Sequence, residues 1–157
     1  MIDEKTLIKY AVNYLSKYTS SKKNLENILK KKIRRITDDK KNRFKLYNDL
    51  NFIIEKLEKN NIINDENYTN SKIRYLINQG KSKIFIKRYL IQKGINTKLA
   101  NTQILQFYNL DNNIELENAK KFAIKKNLMN DKIDFEKKLS KMARAGFSYE
   151  ISKQVLK

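Results

Sequence analysis

The near absence of turn-forming residues is the feature that most restricts the fold of this chain. Its 157 residues include no Pro and only three Gly. A β-barrel with many tight turns, a Gly-rich phosphate-binding loop and a dinucleotide-binding fingerprint all depend on such residues, so each is disfavoured. Helices need few of them, and the sequence therefore predicts an all-α fold.

Apolar residues recur at helical spacing along nearly the whole chain. In the first segment they form one continuous stripe, which consists of Leu7, Tyr10, Ala11, Tyr14, Leu15 and Tyr18. Residues suited to cap or stop helices separate the later stripes. The expected caps are Ser20 or Ser21, Asp65, Ser82, Asn96 or Thr97, and Ser148, and the expected stops are residues 37–42, Asn60-Asn61, Gly80, Gly94 and Gly146. The pattern predicts about nine helices in three groups of three.

Two segments of the chain are related in pattern. They are Leu90-Ile-Gln-Lys-Gly-Ile-Asn96 and Met142-Ala-Arg-Ala-Gly-Phe-Ser148. Each contains an apolar residue, three further residues, a Gly, a second apolar residue and a helix cap. This similarity indicates a repeated helical unit. The alternative is coincidence, because a Gly stop before a short helix occurs in many helical proteins.

The charge of the chain is strongly and unevenly positive. Lys and Arg number 35 against 17 Asp and Glu, which gives a net charge of +18. No acid lies between Glu66 and Asp111, and Glu26 is the one acid in the basic segment 22–37. Exposed helices usually gain support from Glu–Lys pairs, so this imbalance favours an anionic partner, most readily nucleic acid. A/T-rich codons are an alternative source of part of the Lys excess.

Several classes of function are excluded or disfavoured. Without His or Cys the chain has no zinc site, thiol nucleophile or His-based triad. Paired acids such as Asp38-Asp39 fit the first turns of helices, where they complement the helix dipole. We therefore expect no enzyme, cofactor, metal or small-molecule substrate. No apolar stretch is long enough to span a membrane, and the acidic start does not resemble an export signal, so we expect a cytoplasmic protein.

The aromatic residues mostly fall on the apolar stripes. We therefore expect them to lie in the core, and base stacking is the less favoured interpretation. This expectation covers Tyr10, Tyr14, Tyr18, Tyr68, Tyr75, Tyr89, Phe107 and Phe122.

Three segments of the chain match the pattern of a known family. The central segment contains Leu57-Glu-Lys-Asn-Asn-Ile-Ile-Asn-Asp-Glu-Asn-Tyr68, Arg74, Gly80-Lys-Ser82 and Ile86-Lys-Arg-Tyr-Leu-Ile-Gln-Lys-Gly-Ile95. The others are Asn24-Leu-Glu-Asn-Ile-Leu-Lys-Lys-Lys-Ile-Arg-Arg35 and Lys138-Leu-Ser-Lys-Met-Ala-Arg-Ala-Gly-Phe-Ser-Tyr-Glu-Ile151. In order and spacing they resemble the RecX family of small RecA regulators. The departures from the family pattern are Asn60 or Asn61 for Gly, Asn64 for Asp, Tyr68-Thr69 for Phe-Ala, and Lys83 for Pro.

The resemblance implies both a fold and a function. The implied fold is an elongated all-α array of three tandem three-helix repeats, which we expect at residues 1–62, 63–110 and 111–157. RecX-like proteins lie in the groove of the RecA–DNA filament, where they inhibit ATP hydrolysis and strand exchange. Their processes are DNA repair, DNA recombination and the SOS response. We expect this chain to act as a monomer on the RecA filament and on single- or double-stranded DNA.

The expected contact residues are cations from the basic segments. They are Arg34, Arg35, Arg74, Lys81, Lys83, Lys87, Arg88, Lys93, Lys121, Lys125 and Arg144. Each one alone has the ordinary interpretation of a solvated surface charge, so the prediction concerns the group. One alternative is a stand-alone DNA-binding protein of helix-turn-helix type, formed by the helix–Gly turn–helix segment 82–107. Another is a helical scaffold that binds neither DNA nor RecA.

Overall fold

The structure is a computed structural model that describes residues 2–157, and it is all-α. Within this range there are nine helices and no strand, which confirms the predicted fold class. The helices are α1 (Glu4–Leu15), α2 (Lys22–Ile36), α3 (Lys40–Lys59), α4 (Asp65–Asn78), α5 (Lys83–Gln92), α6 (Thr97–Leu110), α7 (Ile114–Lys125), α8 (Phe135–Arg144) and α9 (Tyr149–Leu156). None of the helices in the described range is long and apolar enough to cross a membrane.

Most helix ends follow the predicted capping residues. Ser21, Asn96 and Ser148 each accept a backbone N–H bond at the start of α2, α6 and α9. The prediction for α4 was wrong, because Asp65 is its first helical residue and Asn64 Oδ1 accepts the Asn67 N–H at 3.0 Å. These caps satisfy N–H groups that have no partner inside the helix.

The break predicted at residues 37–42 is shorter in the structure. Asp39 Oδ1 accepts the N–H of Lys41 at 3.0 Å and starts α3 at Lys40. At the other end of α3, where Asn60-Asn61 was expected to stop the helix, Asn61 has a φ of +55°, a left-handed conformation that Asn adopts more readily than most residues.

Two compact units divide the chain. The first runs to Tyr68 and also includes Lys93–Ile95, and the second consists of Thr69–Gln92 and Asn96–Lys157. In the first, α1, α2 and α3 bury a core that includes Leu7, Leu29 and Leu50. One core of the second, from α7, α8 and α9, includes Ala119, Met142 and Val155. The repeat boundaries after residues 62 and 110 stay a prediction, because the division into two compact units does not test a division into three repeats.

The start of α2 is fixed by contacts from distant parts of the first unit. The Ser21 hydroxyl accepts the Asn24 N–H at 3.1 Å and donates to the Lys93 carbonyl at 2.5 Å. Asp65 Oδ1 accepts the Lys22 N–H at 2.8 Å. We call this arrangement a cap junction. It consists of the Ser that caps the helix, the acid that accepts the next backbone N–H, and the Gly turn whose carbonyl accepts the Ser hydroxyl. Its acid complements the positive end of the helix dipole.

A second cap junction fixes the start of α5 in the second unit. The Ser82 hydroxyl accepts the Phe85 N–H at 3.2 Å and donates to the Ala145 carbonyl at 2.6 Å. Glu115 Oε2 accepts the Lys83 N–H at 3.0 Å. Asp65 of the first cap junction and Glu115 both lie in the first turn of a helix, so the two junctions match part for part.

Gly residues complete both cap junctions. The accepting carbonyls directly precede Gly94 and Gly146, whose φ angles are +81° and +95°. A Cβ on Gly94 would overlap the side chain of Lys23, and a Cβ on Gly146 would overlap the Ser82 hydroxyl. Gly is therefore needed for the left-handed backbone and for the close approach. These two Gly residues are the pair whose sequence context indicated a repeat, and their matching contacts are consistent with tandem repeats.

Candidate partner and nucleic-acid interface

The acid-free segment 67–110 forms α5, α6 and all of α4 except its first two residues, Asp65 and Glu66. Arg74 on α4 and Lys87 and Arg88 on α5 all have exposed side chains. In the described residues 2–157, no ion pair includes any of these three cations. Their charge is therefore open to an external anion, and a role for these residues in binding stays a prediction.

Aromatic rings lie under several of the cations in the second unit. Lys81 Nζ is 4.8 Å from the centre of the Phe85 ring, and the Arg74 guanidinium is 5.8 Å from that of Phe107. A cation over a ring face is attracted by the ring quadrupole, which favours a defined position for a long side chain. Sequence reasoning did not select Phe85 as part of this surface.

Two aromatic residues expected in the core are exposed. The exposed fractions of Tyr18 and Tyr75 are 58% and 56%. Tyr18 lies beyond the end of α1, so the stripe to which it was assigned stops before it. Tyr75 lies on α4 with Lys72 Nζ 5.6 Å from its ring centre, which places a stacking face beside a cation.

Lys83 lies where α5 meets the first turn of α7. Its Nζ is 5.3 Å from the ring centre of Tyr108, whose hydroxyl donates to Glu115 Oε2 at 3.4 Å. Burial raises the pKa of Glu115 and, together with the Glu115 charge, that of Tyr108. The same carboxylate oxygen accepts the Lys83 N–H, so Glu115 holds the start of α5 in place.

The arginines predicted in the first unit lie at the end of α2. Arg34 and Arg35 are exposed in its last turn, where positive charge complements the helix dipole. Arg43, which the prediction did not include, donates from Nε to the Thr37 carbonyl at 2.7 Å and from Nη2 to the Arg34 carbonyl at 3.1 Å. Arg43 therefore caps α2, and the two predicted guanidinium groups remain at the surface.

The remaining predicted cations occupy separate places. Lys93 is half-buried in the first unit, and its carbonyl belongs to the α2 cap junction. Lys121 and Lys125 are exposed one turn apart on α7, and Arg144 is exposed as the last residue of α8. The structure brings Lys121 beside the turn before α5, since Lys121 Cβ would lie 3.6 Å from a Cβ at Gly80.

A shallow groove lies between α5 and α6 in the second unit, with a volume of about 370 Å³. Lys83, Ile84 and Lys87 line it from α5, and Asn101, Ile104 and Leu105 line it from α6. Ile84 and Leu105 are about half exposed, at 48% and 49%. Sequence reasoning missed these apolar residues, although α5 has large apolar side chains on both its faces, which is a signal that both faces are covered.

Comparisons with known proteins place these features in context. No family model matches the chain. It is 34% identical over 107 residues to proteins called "Regulatory protein RecX" from Streptococcus agalactiae serotype III (strain NEM316) and serotype Ia (strain A909). The matched segment covers 66% of this chain and 40% of each relative, so the chain spans less than half the length of these curated relatives.

Solved structures match over nearly the whole chain. The crystal structure of RecX from Lactobacillus salivarius has a TM-score of 0.72 at 26% identity and covers 98% of this chain and 94% of that one. A second crystal structure, of a regulatory protein RecX, has a TM-score of 0.74 and covers 97% of this chain and 72% of that one. At 21% identity, this second similarity is evidence of a shared fold.

Proposed function

This chain belongs to the RecX family, and on this premise we propose that it is a non-enzymatic regulator of the RecA recombinase. In this proposal it binds the RecA–DNA filament and inhibits ATP hydrolysis and strand exchange. It acts in the cytoplasm as a monomer, without a cofactor. The observation that carries the proposal is the exposed cationic surface that α4 and α5 form within the acid-free segment 67–110, with Arg74, Lys87 and Arg88.

The cationic surface supports an anionic partner for an electrostatic reason. Lys and Arg side chains that lack carboxylate neighbours repel one another, and an anionic surface relieves this repulsion. Nucleic-acid phosphates supply a dense row of such charges, and release of their counterions favours binding. We therefore include direct DNA affinity in the proposal. Among the cations, we expect Arg to contribute more than Lys, because its planar guanidinium binds phosphate or carboxylate through two hydrogen bonds.

A charge-reversal variant tests the proposal. Arg74, Lys87 and Arg88 are changed together to Glu, and inhibition of ATP hydrolysis by RecA on single-stranded DNA is measured. We expect the inhibitor concentration for half-maximal effect to rise by about tenfold or more, because each substitution replaces attraction with repulsion. Helicity by circular dichroism should stay unchanged, since all three side chains are exposed.

A matched control separates position from total charge. Lys132, Lys137 and Lys141 are also exposed, and changing them to Glu alters the net charge by the same amount. We expect this control to inhibit ATP hydrolysis nearly as well as the unchanged protein does. Equal inhibition by all three proteins would rule out the α4–α5 surface as the contact.

A stand-alone helix-turn-helix protein is the second candidate function. The segment does contain α5, a turn at Gly94 and α6. In that motif the second helix enters the major groove with polar or cationic side chains. α6, however, carries Lys98 as its one cation and exposes Leu105 in its middle. This composition supports a protein contact for α6 more than a DNA contact.

A further inference from the structure

Helix α5 exposes apolar side chains on the face that points away from its core. Ile86 and Leu90 are fully buried, whereas Ile84 and Ile91 are exposed on the other face. A helix that is apolar on both faces is typical of an element covered on both sides. Exposed apolar groups that form a continuous patch mark surfaces that bind a partner.

The exposed face of α5 continues into the groove between α5 and α6. Ile84 and Leu105 form its walls, Ile104 forms its buried floor, and Lys83 and Lys87 lie one helical turn apart at its rim. Neither lysine is part of an ion pair within residues 2–157.

The carboxylate that contacts the Lys83 backbone at this rim is already engaged by the protein itself. Glu115 Oε2 accepts the backbone N–H of Lys83 at 3.0 Å and the Tyr108 hydroxyl at 3.4 Å. Glu115 thus holds the start of α5, while the side chain of Lys87 has no such neighbour in the described part of the chain. An external acid is therefore complementary to the groove.

We infer that this groove binds an acidic protein segment that inserts at least one apolar side chain between Ile84 and Leu105. Carboxylates of the segment pair with Lys83 and Lys87. A volume of about 370 Å³ accommodates a few side chains. A nucleic-acid backbone fits less well, because its hydrated phosphates would meet apolar walls. The inference rests on the proposed function, in which the segment belongs to the protein part of the RecA filament.

Paired double variants test the groove. Ile84 and Leu105 are both changed to Ser, and the control changes Ile124 and Leu110 to Ser. The control removes the same two residue types from exposed positions outside the groove, at 70% and 87% exposure. The dissociation constants for a preformed RecA–single-stranded DNA filament, with RecA from the same organism, and for the bare DNA are measured by fluorescence anisotropy.

We expect the groove variant to bind the filament about tenfold more weakly, because two apolar contacts are lost, and to bind bare DNA unchanged. Changing Lys83 and Lys87 to Gln should also weaken filament binding more than DNA binding. If the unchanged protein binds the filament and the groove variant binds it equally well, the groove inference is wrong and the proposed function stands. Equal losses for filament and DNA would assign the groove to DNA and overturn the inference. If the unchanged protein does not bind the filament, the proposed function fails, and the inference fails with it.

Discussion

The two hydrogen bonds of Ser82 make its replacement by Ala a direct test of the cap junction. The substitution removes the acceptor for the Phe85 N–H and the donor to the Ala145 carbonyl, at 3.2 and 2.6 Å. Ser148 provides a control in the same compact unit. Its hydroxyl accepts the Ile151 N–H at 3.2 Å in an exposed position, as an ordinary cap.

The expected magnitudes follow from these contacts. Loss of an ordinary Ser cap costs about 1 kcal/mol, which is the value we expect for Ser148→Ala. Ser82→Ala also leaves the partly buried Ala145 carbonyl without its partner, which adds about 1–2 kcal/mol. We therefore expect a total of about 2–3 kcal/mol for Ser82→Ala.

Urea unfolding followed by circular dichroism measures both free energies of unfolding. The two residues belong to one unit, so the same transition reports both substitutions. Equal costs for Ser82→Ala and Ser148→Ala would refute the cap junction as a stabilising contact. A larger cost for Ser148→Ala would refute it more strongly.

Two further predictions concern the same unit. Gly146→Ala should lower the free energy of unfolding more than Gly80→Ala, because a Cβ on Gly146 overlaps the Ser82 hydroxyl while one on Gly80 meets only ordinary contacts. Both substitutions also introduce left-handed strain of about 1–2 kcal/mol. The double variant Ser82→Ala/Gly146→Ala should lose less unfolding free energy than the sum of the two single losses, because removal of the Ser82 hydroxyl relieves the overlap. Additive losses would show that the two groups do not clash. Burial raises the pKa of Glu115 in the folded state, so its contribution to stability should increase as the pH falls through that pKa toward 4.5. The free energy of unfolding of the unchanged protein is compared with that of Glu115→Gln from pH 7 downward. The excess of the first over the second should increase as the pH falls, and a decrease would contradict the prediction.

Local sequence signals predicted the helices and most of their ends. The N-caps at Ser21 and Ser148 and the helix stop at Gly94 involve neighbours only a few residues away, and such short-range features are readable from spacing. The long-range half of each cap junction was not predictable. Nothing in the sequence around Ser21 indicates that its hydroxyl donates to a carbonyl 72 residues away.

The cationic segments could also be predicted, because charge is a property of composition. The apolar part of the surface could not, since periodicity does not say which of two apolar faces is buried. Ile84 and Ile86 both suit a core, and only the packing of α5 leaves Ile84 exposed. Tyr75 was misassigned for the same reason. The role of Arg43 depends on the turn between α2 and α3, which sets where its guanidinium lies.

Binding to a preformed RecA–DNA filament, with and without nucleotide, is the most direct test of the proposed function. Titrations of the unchanged protein against the filament and against bare duplex DNA, at about 0.15 M salt, compare the two partners. The proposal predicts tighter binding to the filament, and loss of that preference when Arg74, Lys87 and Arg88 are changed to Glu. Tighter binding to bare DNA, with a steep dependence on salt, would contradict the proposal and favour a stand-alone DNA-binding protein.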